Sequence, residues 1–154
     1  MTTYRFRVKF ESDPTALWRD LIVGADRTLA EVQSVVNRAV GLNQDDLWFF
    51  GTDQDYWDSK VLYKSPMEVE QSPERRIWPV EEYDAGERTV GQMIRRLELA
   101  KGDRVCYLFD YGDEWRFYAI LKAINEGVSS EREPAVVKEK GDPVNQYSPP
   151  EDRP

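Results

Sequence analysis

At 154 residues the chain has room for one ordinary domain with a sizeable core, and its 40% apolar content suits a folded chain rather than a disordered one. A net charge of −8 opposes broad binding to phosphate backbones, which makes nucleic acid a disfavoured partner. Histidine is absent, so histidine triads and histidine-dependent zinc sites are excluded, and any general base has to be a carboxylate or a lysine shifted by burial.

No stretch approaches the ~20 apolar residues of a membrane-spanning helix. The start, Met1 to Arg7, lacks the apolar run of a secretory leader. Cys106 is the only cysteine and has no partner for an internal disulfide. Together these lead to the expectation of a cytoplasmic protein away from membranes, with a solvated acidic surface.

Tyr4, Phe6, Val8 and Phe10 alternate with Arg5, Arg7 and Lys9. That period of two predicts a first strand with one buried face. Ser12-Asp13-Pro14 turns the chain, and Leu17 to Val23 predicts a second strand antiparallel to the first. Thr28 with Glu31 three residues on is a capping box, and Leu29, Val32, Val35, Val36, Ala39 and Val40 form the apolar stripe of a helix ended by Gly41.

Leu47–Phe50 reads as a short strand. The segment from Gly51 to Glu87 is irregular, with short strands expected near Lys60–Tyr63 and Arg76–Pro79. Thr89 and Gln92 repeat the capping-box spacing ahead of a second helix through Leu97, despite Gly91. Arg104–Asp110 and Glu114–Ile124 then predict a hairpin around Tyr111-Gly112-Asp113, with the glycine available for a positive φ. Apolar residues on both faces of its second strand predict that it is covered on both sides.

Five of the nine prolines lie after Asn125. The expected organisation is a core domain over 1–124 and a proline-rich, acidic, loosely ordered segment over 125–154, with a short strand at Val136 and Val137. The predicted order gives an α+β domain, β-grasp-like or an α/β roll, whose mainly antiparallel sheet carries two helices packed on it.

Two blocks carry a family resemblance. The first runs from Pro14 to Phe50 and includes Trp18-Arg19, Ala25-Asp26-Arg27-Thr28-Leu29 and the helix ending at Gly41. The second is Tyr107-Leu108-Phe109-Asp110-Tyr111-Gly112-Asp113-Glu114-Trp115. In order and spacing the chain resembles the plasmid pRiA4b ORF-3-like family, whose members include passenger proteins of mobile elements. Members commonly carry histidines after the first helix and after the signature tryptophan; here those regions read Asp45-Asp46-Leu47-Trp48-Phe49 and Trp115-Arg116-Phe117. The family's Pro-Pro-Glu-Asp motif remains only at Pro149–Asp152. The resemblance implies a compact α+β fold, and no histidine-dependent activity carries over.

Candidate sites follow from residue type. Asp110, Asp113 and Glu114 at the hairpin tip, flanked by Phe109, Tyr111 and Trp115, suit a ligand or a divalent cation held by carboxylate oxygens; the competing reading is a turn whose Asp side chains bond local amides. Asp53, Asp55 and Asp58 lack the glycine and terminal glutamate of a calcium loop and read as an exposed loop. Arg5, Arg7 and Lys9 form a basic stripe that Arg19 would join across the ladder, suited to phosphate or to cross-strand charge pairs. Cys106, with apolar neighbours and no base, reads as structural. No cofactor is implied. The leading expectation is a non-catalytic binding or adaptor domain with a protein partner. The alternatives are a carboxylate-based, metal-assisted hydrolase and an accessory role in mobile-element DNA transactions.

Overall fold

A computed structural model of the chain describes residues 1–52, 56–71, 76–77, 80–127 and 129–146, the pair 76–77 by backbone alone. In chain order the elements among the described residues are β1 (Thr2–Phe10), β2 (Trp18–Gly24), α1 (Leu29–Val40), β3 (Trp48–Gly51), β4 (Val61–Lys64), α2 (Pro66–Gln71), β5 (Arg76–Ile77), β6 (Val80–Asp84), α3 (Val90–Leu97), β7 (Arg104–Phe109), β8 (Trp115–Glu126) and β9 (Ala135–Lys140), with a 3-10 turn at Tyr56–Asp58. All nine strands join one sheet in the order β5-β6-β4-β3-β7-β8-β1-β2-β9, antiparallel throughout except for the parallel pair β4 and β6. The expected mainly antiparallel α+β fold is what the chain adopts.

Alternation in β1 sends Tyr4, Phe6, Val8 and Phe10 into the core, where they meet Leu21, Phe117 and Leu121 of the neighbouring strands. α1 and α3 cover this face. In α1, Thr28 Oγ1 accepts from the Glu31 amide at 3.2 Å while Glu31 Oε1 accepts from the Thr28 amide at 3.1 Å. Gly41 closes the helix at φ 91°, a conformation that costs a side-chain-bearing residue energy. Val36 and Val40 are buried against the sheet, and Val32 is half-buried. Gly91 answers a packing need: a Cβ there would sit 3.1 Å from the Ala25 carbonyl oxygen, which the Gly91 amide itself binds at 2.9 Å.

Between the helices and the sheet lies an apolar cavity of about 20 Å³, room for roughly one water. On the opposite face Phe49, Tyr56, Cys106 and Leu108 form a second, smaller cluster. There the Tyr56 hydroxyl donates to the Phe117 carbonyl at 2.8 Å, and Ser59 Oγ lies 3.8 Å from Cys106 Sγ.

Three expectations need correction. α2 and β6 lie in the stretch read as irregular, and β6 pairs in parallel with β4. The hairpin's positive φ values fall on Asp110 (67°) and Glu114 (50°), not on Gly112. Finally, β8 runs to Glu126, past residue 124, and its outer face is not covered along its whole length: Tyr118 and Ile120 are half-buried and Ile124 is exposed. Beyond β8, β9 pairs with β2 over Trp18–Ile22, the Val144 amide donates to the Val40 carbonyl at 2.8 Å, and Gln146 is buried. The final residues, 147–154, including Pro149–Asp152, lie outside the described residues.

Candidate functional site

The hairpin tip splits its residues between two faces of the sheet. Trp115 and Phe109 are buried in the main core, with Trp115 6.0 Å from Phe10. Tyr111 lies on the other face, 6.0 Å from Phe49 and 4.9 Å edge-on to Trp57, and its hydroxyl donates to Glu68 at 3.1 Å. The three aromatics therefore do not wall one pocket.

The tip carboxylates are engaged locally. Asp110 Oδ1 accepts from the amides of Gly112 (3.0 Å) and Asp113 (3.2 Å), a side-chain turn that also supports the left-handed backbone at Asp110. Glu114 Oε1 accepts from Arg116 Nη2 (2.7 Å) and from the Trp57 indole (3.2 Å); the Arg116 hydrogen bond holds its carboxyl below the usual range. Asp113 is exposed. Asp46 faces this tip, and its carboxyl is raised by partial burial and by the charges of Asp110 and Asp45. Among the described residues no three Asp, Glu or Cys side chains are grouped to hold a metal ion. Asp53 and Asp55 lie outside the described residues, and Asp58 is exposed.

The basic stripe also divides. In the β1–β2 ladder Arg7 pairs with Asp20 and Val8 with Arg19. Partners across a ladder share a face, so Arg19 faces the core with Val8 and does not join Arg5 and Arg7. Only 2% exposed, Arg19 donates to the carbonyls of Ala39 (2.9 Å), Trp18 (2.9 Å), Lys140 (2.8 Å) and Gly141 (2.9 Å). It ties the last turn of α1 to β2 and β9, which is structural work. Arg5 and Arg7 clamp the buried Asp20, with Arg5 Nη2 to Oδ2 at 2.8 Å and Arg7 Nε to Oδ1 at 2.7 Å. Burial alone would raise the Asp20 carboxyl; the hydrogen bonds from Arg7 and Arg5 outweigh it and hold the group below its ordinary value.

What the register assembles instead is a basic, aromatic surface on the face away from α1 and α3. Lys9 lies opposite Tyr118, Arg7 opposite Ile120, Arg104 opposite Ile120, and Lys138 and Lys140 opposite Asp20 and Trp18. The Arg7 guanidinium sits 3.9 Å over the Trp18 ring, Lys138 Nζ lies 5.8 Å from the same ring, and Arg104 stacks 4.6 Å over Tyr118. Among the described residues Lys9, Arg104, Lys138 and Lys140 have no carboxylate within ion-pair distance. Arg104, Tyr118 and Lys138 are not among the candidates expected from residue type. Their alternation along β7, β8 and β9 was a readable signal, but only the strand order brings them together.

This defines an α+β protein built on one large, mostly antiparallel sheet, with one face packed under helices and a basic aromatic surface on the other. It belongs to the plasmid pRiA4b ORF-3-like protein family, which it matches over residues 2–153. No curated protein matches the chain. Its fold is similar to the crystal structure of a protein of unknown function from Methanosarcina mazei Go1, with a TM-score of 0.66 at 16% identity over 96% of this chain and 74% of that one. At that identity the likeness concerns the fold alone. Among the described residues no helix is long and apolar enough to cross a membrane.

Proposed function

We propose that the chain is a non-catalytic binding module that docks a partner protein on the basic aromatic face of its sheet. One observation carries this reading: Lys9, Arg104 and Lys138 share one face of the sheet on three separate strands, without carboxylate partners among the described residues, in a chain with 29 acids. Arg104 over Tyr118 and Lys138 near Trp18, neither with a carboxylate partner among the described residues, are positioned for a charge that comes from outside. Support also comes from the tip, where Asp110 and Glu114 serve the turn and a surface ion pair. For the architecture we keep the roll reading, since the β1–β2 hairpin leads directly into a helix lying across the sheet.

The test compares proteins retained from native lysate by the wild-type chain and by a Lys9→Glu/Arg104→Glu/Lys138→Glu variant of unchanged circular dichroism. A reproducible set lost by the variant is the expected result. Identical sets on both would sink the reading.

A further inference from the structure

Resting on that docking face, we infer that its occupant is a carboxylate-rich, extended segment of a partner protein rather than a nucleic acid. Three features of the surface select carboxylates.

The first is the state of the aromatic rings. Single-stranded nucleic acid is gripped by stacking bases on open ring faces. Here Arg7 covers Trp18 at 3.9 Å and Arg104 covers Tyr118 at 4.6 Å, so these rings anchor cations instead of offering platforms. Arg7 is committed to Asp20 through Nε (2.7 Å) and Nη2 (3.0 Å), whereas Arg104 has no carboxylate within ion-pair distance among the described residues and keeps its guanidinium donors for one that arrives from outside.

The second is charge. The chain carries −8 overall, and the cations of this face imply a more acidic remainder. A long polyphosphate meets that remainder and is repelled. A short acidic segment feels mainly the local patch, because charges beyond about 8 Å are screened at physiological salt.

The third is spacing. Lys138 and Lys140 alternate on β9, opposite Asp20 and Trp18, and so point to the same face. Alternate strand residues repeat every ~6.6 Å, the repeat of side chains on one side of an extended peptide. Half-buried Ile22 and Ile120 lie among the cations and supply apolar contact for the aliphatic stems of such a chain. Carboxylates at every second residue of an extended segment match this layout.

The test titrates isotope-labelled, full-length chain with a peptide of about ten alternating glutamate and serine residues, and separately with an oligothymidylate of the same length. The glutamate peptide should shift the Trp18 indole N–H and the amides of Tyr118 and Ile120. Its affinity should fall about tenfold or more in the Lys9→Glu/Lys138→Glu variant, and should weaken as salt rises. Oligothymidylate binding as tight as the peptide would overturn the inference in favour of nucleic acid, as would peptide shifts mapping to another surface. No peptide binding at millimolar concentration, with lysate partners still lost on charge reversal, overturns the acidic-segment inference and leaves the docking face standing. Unchanged lysate partners on charge reversal would remove both.

Discussion

Thr28 and Thr89 face each other across a single antiparallel bridge, and each is the N-cap of a different helix. Around them the Leu29 amide, at the start of α1, donates to the Arg88 carbonyl (3.0 Å), and the Val90 amide, at the start of α3, donates to the Arg27 carbonyl (2.8 Å). Each helix therefore satisfies an N-terminal amide with the backbone that enters the other.

Thr28→Ala and Thr89→Ala should each cost about 1 kcal/mol, the usual value of an N-cap. Because the two caps share one crossing, the double variant should depart from additivity by roughly 0.5 kcal/mol or more. Urea denaturation of the four proteins in the cycle measures this, and strict additivity would mean that the bridge carries no coupling.

Arg19 holds four carbonyls from α1, β2 and the end of β9. Arg19→Met should destabilise by about 3 kcal/mol or more, since buried acceptors lose a charged donor. Arg19→Lys should recover only part of this, because one ammonium cannot reach carbonyls in several directions. Hydrogen exchange should show β9 opening in both variants before the rest of the sheet does.

Asp20, clamped by Arg5 and Arg7, is held below its ordinary pKa in the folded protein. A depressed carboxyl contributes stability that is present above its unfolded value, near 4, and lost as pH falls through the folded value. Stability should therefore drop below about pH 4, and Asp20→Asn should flatten that part of the curve while lowering stability at neutral pH. Denaturation midpoints from pH 2 to 7 decide it, and an unchanged acid slope in the variant would count against the clamp.

At the hairpin tip, Asp110→Asn should be nearly neutral, because Asn tolerates the left-handed backbone and keeps an acceptor for the Gly112 and Asp113 amides. Asp110→Ala should cost about 1–2 kcal/mol. Asp46 is the reverse case. Its carboxyl is raised by burial and by Asp110 and Asp45, so its charge costs stability above the folded pKa, and that cost is relieved as pH falls. Asp46→Asn should gain roughly 0.5 kcal/mol at neutral pH, the scale of a screened surface pair. Thermal melts of the three variants at pH 7 give both signs.

The elements that short-range pattern specifies were legible. The alternation of Tyr4 to Phe10 and the two Thr-x-x-Glu/Gln boxes are each complete within a dozen residues, and β1, α1 and α3 form where they indicate. β6 was not legible, because Val80–Asp84 carries three acids and gains its order from pairing in parallel with β4, across the crossover that contains α2. α2 had one readable sign, Pro66 at its first position. Arg19 and Asp20 are adjacent in an apolar run, and only the ladder register decides that one turns to the core and the other to Arg5 and Arg7. The basic face suffers the same limit, since Lys9, Arg104 and Lys138 are 34 or more positions apart.

Cys106, the chain's sole thiol, is 4% exposed on a central strand beneath Tyr56. An alkylating reagent can reach it only when the cover of the sheet lifts, so its labelling rate is a clock for that opening. Timed labelling thus reports, from a single natural atom, how often the middle of this protein is laid bare, and whether an occupant of the outer sheet face slows the event.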